Sequence, residues 1–373
     1  MFRLGPLSLP AQGSIRKLGI CALVVFWLLF FSSVGRAFDA IQITDNSTHD
    51  MYPAISGSNV VWMGCDGGSG TTCDGGDWEI YFWDGATTTQ VTFNDRDDKY
   101  PSISGSNVVW TAPDGPDDDV FLWDGSTITQ ITDNSSSEHR PEISGSSVVW
   151  YASYGDFIDG YEVYLWDGFH AVPITHNDID DVSPSISGSN VAWAHCDGVS
   201  YPSCLNDGDL EIYLWDGASA TQITDNSVDD RHPAISGSNV AWERAVGALG
   251  GRGAQIYARV DGATIQVTDG SYDYAPAISG SNVVWYGSDG TNKSEIYLWT
   301  AGTTVPITDN SVSDMYPAIS GANVVWMRDD GNDYEIYMST FTTPVPVPSI
   351  SFGGLALLAG LVICFVAWAR RGG

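Results

Sequence analysis

"YPAISGSNVVW" occupies residues 52–62, and near-copies begin at Tyr100, Arg140, Ser183, His232, Ala275 and Tyr316. The starts lie 48, 40, 43, 49, 43 and 41 residues apart. Self-similarity at such a period marks a repeat architecture. Within each unit the order is constant. "PAIS" leads into a tight "GSN" turn and then "VVW". An acidic loop of variable length follows. Next come a β-rich run such as "EIYLW" (211–215), a "DG" turn and a short "TQIT" (221–224). Short apolar runs between turn signals, with no helical periodicity, predict four strands per unit. Seven such units predict an all-β, seven-bladed β-propeller of four-stranded blades.

The ends of the array support a ring. The seventh unit runs out at "DYEIYMSTF" (333–341) without its fourth strand, while a spare "AIQIT" stands at 40–44 before the first unit. The N-terminal strand 40–44 is therefore expected to complete the last blade. Closure also removes the exposed sheet edges that an open array would leave.

Both chain ends look specialised. Residues 1–37 combine Arg3, Arg16 and Lys17 with the apolar run "LGICALVVFWLLFF" and the small-residue stretch "SSVGRA", the pattern of a cleaved signal peptide. Residues 344–373 hold a Pro-rich linker, an apolar run over 350–369 and two terminal arginines, Arg370 and Arg371. That run is long enough to span a bilayer, and the arginines favour a cytoplasmic tail. The middle of the chain, residues 38–343, is thus expected in the cell envelope or at the surface, as one monomeric propeller. Two cysteine pairs fit an oxidising compartment: Cys65 with Cys73, and Cys196 with Cys204. Both have seven intervening residues and start three residues after a repeat tryptophan.

All 46 acidic residues fall between residues 38 and 348, where only nine Lys or Arg occur, leaving that stretch at −37. Such a body repels nucleic acid and anionic lipid, which excludes both as partners of the propeller. The unit "P-x-I-S-G-x-N-V-V-W … E-I-Y-L-W-D-G … Q-I-T-D-N" resembles the propeller repeat of the TolB-like group, and the resemblance covers residues 40–341. It implies a propeller of periplasmic or cell-surface proteins, here of a divergent branch with "S-G-S-N" in place of the usual turn. The tail "VPSISFGG", its hydrophobic run and "RR" resemble PEP-CTERM and IPTL-CTERM sorting signals.

Several candidate sites follow. An acidic residue stands three before each repeat proline: Asp50, Asp98, Glu138, Asp181, Asp230, Asp273 and Asp314. A ring of carboxylates could hold Ca²⁺, a hard cation that takes oxygen ligands. The alternative is a side chain that fixes each inter-blade loop through backbone N–H groups. The fifth unit is unusual in carrying Arg231, Arg244, Arg252 and Arg259, a basic group that could dock an anionic partner. Binding is expected on the face formed by the long loops, because variable loops on a rigid frame carry recognition. The tryptophans and tyrosines of "VVW" and "EIYLW" recur on strands and are expected in the core between blades. No "HExxH" or "GxSxG" occurs. The sequence thus favours a non-enzymatic envelope protein that binds a protein or glycan. The second expectation is a polysaccharide lyase or hydrolase with a metal held near the channel mouth by His49, His139 and His232.

Overall fold

The computed structural model describes residues 38–341, except 69–72, 154–159, 178, 198–208, 247–252, 271, 289 and 291–292. Its 28 strands, β1 to β28, form seven four-stranded antiparallel sheets, and no helix occurs among the described residues. The first blade consists of β2 (Asp50–Ser56), β3 (Asn59–Asp66), β4 (Asp77–Trp83) and β5 (Thr88–Gln90). The last consists of β26 (Asp314–Ser320), β27 (Asn323–Asp329) and β28 (Tyr334–Thr340), with β1 (Ala40–Gln42) as its outer strand. Ala40, Ile41 and Gln42 pair with Ser339, Met338 and Tyr337. The ring is closed as the strand count predicted. Residues 1–37 and 344–373, on which the signal-peptide and membrane-span expectations rest, lie outside the described residues.

The "VVW" run supplies the core. Val60, Val61 and Trp62 are buried, as are their counterparts around the ring. Each tryptophan stacks on the aromatic ring of its cross-strand partner, Trp62 on Tyr81 at 5.9 Å and Trp326 on Tyr337 at 6.3 Å. Buried clusters bridge neighbouring blades; one joins Trp110 and Ile103 of the second blade to Trp62 and Ile80 of the first and Met327 of the last. The tryptophans are therefore inter-blade core.

Hydrogen bonds explain why so much of the motif repeats. The serine of "PAIS" accepts from the N–H of the glycine that opens the next blade's turn, from Gly105 to Ser56 at 2.9 Å and on around to Gly57 and Ser320 at 2.9 Å. All seven blade junctions make this contact. At four junctions the turn asparagine adds a bond to the next glycine's carbonyl, as Asn59 does to Gly105 at 2.8 Å. The threonine of "QIT" accepts the N–H of the third strand, Ile80 to Thr92 at 2.8 Å. In the last blade Ile336 donates to Thr44 at 2.8 Å, across 292 residues of sequence. The N-terminal segment thus makes the same contacts at the closing junction as the other junctions make in sequence.

Candidate functional site

The pairing of the innermost strand with its neighbour is interrupted in every blade. In the first, the register jumps between Met51 and Ala54, a β-bulge over Tyr52 and Pro53. The bulged residue is the first of the repeated eleven. It is Tyr52, Tyr100, Arg140, Ser183, His232, Ala275 or Tyr316, and its φ lies between 46° and 55° in all seven blades. None of these is glycine. A residue before proline is normally extended, so this conformation opposes the local rule and carries strain. Its consequence is positional: all seven residues line one cavity of about 510 Å³ at the mouth of the central channel.

One side of this mouth is aromatic. Tyr52 lies 5.7 Å from Tyr100 and 4.9 Å from Tyr316, Tyr316 lies 5.4 Å from Tyr286, and Tyr286 lies 5.6 Å from Tyr274. Burial pushes the Tyr52 hydroxyl up to about 12, so it stays a neutral phenol able to donate and accept. The other side is charged. Arg140 places its guanidinium 5.3 Å over the Tyr100 ring. Glu142 stands where the other blades carry Ala or Ser. Burial pushes its carboxyl up to about 7, against hydrogen bonds from the Ser185 hydroxyl and the Ile186 N–H. Glu243 also lies in the wall. Burial opposes its ionisation, but the His232 ring at 3.2 Å, the Ala275 N–H at 2.8 Å and Arg231 at 3.3 Å outweigh it, and its carboxyl is held below the usual range. The cavity can therefore offer ring stacking, phenol hydrogen bonds and charge within one enclosure, the usual makeup of a ligand site.

The seven acidic residues of the loops between blades sit elsewhere. Each is buried at or just before the start of its innermost strand, behind the channel wall. Six accept a bond from the indole N–H of their own blade's tryptophan; Trp62 donates to Asp50 at 2.8 Å and Trp110 to Asp98 at 2.7 Å. Six also accept the side-chain amide of the asparagine four residues earlier. Asn46 donates to Asp50 at 2.6 Å, and Asn134 to Glu138 at 2.8 Å. Loop asparagines of this set also donate their backbone N–H to the preceding blade's glutamate, as Asn94 does to Glu79 at 2.7 Å. A chain of glutamate, asparagine, aspartate and tryptophan therefore ties one blade to the next.

The residue two beyond the tryptophan sets the charge of this group. In two blades it is a cation, Arg244 on Asp230 at 2.7 Å and Arg328 on Asp314 at 2.6 Å, and in a third it is His195 on Asp181 at 2.7 Å, whose bond to the carboxylate raises its pKa against the opposing effect of burial. Elsewhere it is small, and at Gly287 a Cβ would run into the Asp273 carboxylate. Without a cation, burial raises the carboxyl: Asp50 and Glu138 to about 7, Asp98 and Asp273 in the same direction. Among the described residues, no group of three or more His, Cys, Asp or Glu is placed to hold a metal ion.

The three described arginines of the fifth unit lie apart from one another. Arg231 lies at the channel mouth on Glu243, whereas Arg244 lies inside the blade on Asp230 and over the Tyr257 ring at 4.2 Å. Arg259 sits near the far end of β20 (Gly253–Val260), six residues and roughly 20 Å from its start. Arg252 lies outside the described residues. The three histidines are also separated. His49 accepts the Tyr334 N–H at 3.1 Å, His139 packs between Tyr151 and Tyr161, and of the three His232 alone lines the mouth. Cys65 and Cys73 form the expected disulfide, with Cα atoms 5.5 Å apart. Cys196 is disulfide-bonded as well, and Cys204 lies outside the described residues.

No family model matches the chain, and no curated protein matches it in sequence. Solved structures do match. The β-propeller domain of the Trilobed protease from Pyrococcus furiosus aligns with a TM-score of 0.60 at 11% identity, over 79% of this chain and 96% of that one. Acylaminoacyl peptidase from Pyrococcus horikoshii aligns at 0.59 and 12% identity, over 78% of this chain and 51% of that one. The chain thus spans about half the length of that peptidase. A TolB candidate from Agrobacterium tumefaciens aligns at 0.41 and 14% identity, over 82% and 97%. At these identities the likeness concerns the propeller fold alone.

Proposed function

We propose that the chain is an exported binding module of the cell envelope, non-enzymatic, which takes its ligand in the channel mouth. One observation supports this most. Within an almost invariant run, the position that changes most from blade to blade lines the cavity in all seven blades. A frame gains nothing from placing Tyr, Arg, Ser, His and Ala at one equivalent site, whereas a ligand without sevenfold symmetry requires it. Conformational strain at all seven positions fits the same reading, because strained residues cluster at ligand sites. Residues 350–369 would anchor the propeller, or be recognised by a sorting protease, and the ligand would be an envelope protein or glycan. The test uses the full chain as bait against envelope extract, beside Tyr52→Ala/Tyr316→Ala. The expected result is a ligand retained by the parent and lost by the variant, with both melting as folded proteins. Equal capture by both would remove the channel mouth from the account.

A second reading rests on Glu142. A carboxyl poised near neutrality in a cavity wall suits general acid–base work, so the cavity could serve a lyase or hydrolase. Turnover of a glycan panel, with and without added Ca²⁺ or other divalent metals, lost in Glu142→Gln, would establish it. No turnover by the parent would end it.

A further inference from the structure

The body carries 46 acidic residues, yet the lining of the channel mouth includes no aspartate. Two arginines and a histidine face two glutamates there. Glu243 is already engaged by Arg231 and His232. Glu142 is turned into the wall toward Ser185 and Ile186 of the next blade. Arg140 is different. Among the described residues no carboxylate lies within ion-pair distance of it, although acids outnumber bases heavily in this chain. Its guanidinium instead lies over the Tyr100 ring, an arrangement that leaves N–H donors for a ligand in the cavity. It stands in the bulge position, so the backbone holds it at φ 46° with its side chain in the mouth.

Resting on the channel-mouth reading above, we infer that the cavity binds a small ring compound bearing one carboxylate, with the ring face on the tyrosines and the carboxylate on Arg140. Planar guanidinium and carboxylate match in a two-bond fork, and a guanidinium held over a ring is already oriented for it. Tyr52 and Tyr316 meet edge to face at 4.9 Å, and Tyr100 is partly exposed beside them, so a ring face is available next to the cation. The acidic body disfavours a polyanion, whose other charges would lie over the surrounding surface, and tolerates a ligand whose single charge is enclosed. A cavity of about 510 Å³ suits such a compound. The ring could be a sugar acid or an aromatic acid.

Titration calorimetry on the purified full chain separates these cases. The probes are D-glucuronate with D-glucose, and benzoate with benzyl alcohol. The expected result is that at least one acid binds about ten-fold or more tightly than its neutral counterpart, as a charge-assisted pair implies. Arg140→Gln should abolish that difference and leave the neutral partner's affinity unchanged; because the Arg140 charge also favours the ionised form of the nearby Glu142 carboxyl, a melting curve checks that the variant is folded. Discrimination confined to glucuronate identifies a sugar acid, and discrimination confined to benzoate an aromatic acid. Equal binding of acid and neutral partner, lost in Tyr52→Ala/Tyr316→Ala, overturns the carboxylate inference and leaves the channel-mouth reading standing. Acid preference that persists in Arg140→Gln also overturns it. Absence of binding by all four probes at millimolar concentration overturns the carboxylate inference, whereas the channel-mouth reading falls only if the parent and Tyr52→Ala/Tyr316→Ala capture equally from envelope extract.

Discussion

Ala275 sits at φ 48°, where an L side chain crowds its own backbone. It adds only a methyl group to the channel mouth. Ala275→Gly should therefore stabilise the chain by about 1 kcal/mol, because glycine adopts this conformation without strain. A chemical denaturation midpoint that falls instead would show that the bulge is unstrained. The buried acids predict a contrast of the opposite sign. Asp314→Ala leaves the Arg328 guanidinium and the Trp326 indole N–H without their acceptor and should cost about 3–5 kcal/mol. Asp273→Ala strands neutral donors, the Trp285 N–H and the Thr268 hydroxyl, and should cost about 1–3 kcal/mol. Denaturation midpoints of the two variants check the order. At this scale the sequence was partly legible. The constant spacing of twelve residues from Asp50 to Trp62, Asp98 to Trp110 and on to Asp314 and Trp326 signals a bonded pair. The bulge had no local signal, since a residue before proline is expected to be extended. Its only trace was variability at one position of a constant run. Arg244 looked like part of a basic patch by number alone. Two residues beyond Trp242 on the same strand, it shares the tryptophan's face, and alternation explains why it is half-buried on Asp230 rather than free on the surface.

The blade junction is the element on which the ring depends, and closure repeats it without change of chemistry. Thr92 and Thr44 do the same work, one twelve residues from its partner and one 292 residues away. Thr92→Val and Thr44→Val should each cost about 1–3 kcal/mol, the cost of a buried N–H left unpaired. Equal losses, read from denaturation midpoints, are the expected outcome. A negligible loss at Thr44 alone would mean that the seventh junction is open. Closure was legible in the sequence, because a strand missing from one end of the array stood at the other. The serine-to-glycine bonds explain the "S-G-S-N" turn, which the sequence showed as a constant without a reason.

For the whole molecule, several buried carboxyls hold protons more tightly when folded. Burial leads in each case, and it moves Asp50, Glu79, Glu138 and Glu211 to about 7. Unfolded, these groups titrate near 4. Between those values the folded chain binds more protons than the unfolded one, so stability falls as pH rises from about 4.5 to about 7 and then levels off. The surface aspartates Asp84, Asp124, Asp167 and Asp216, lowered by turn N–H groups, act in the opposite sense only at the acid end of the carboxylate range. The melting temperature should be higher at pH 5 than at pH 8, and the reverse order would contradict the assignment. The ring itself is tested most directly by removing residues 38–46 and comparing melting with the parent chain. That deletion takes away β1, Thr44 and Asn46, with their bonds to β28 and Glu335. The closed propeller predicts a loss on the order of 5 kcal/mol and a melting temperature lower by roughly 10 °C or more. An unchanged melting temperature would contradict it.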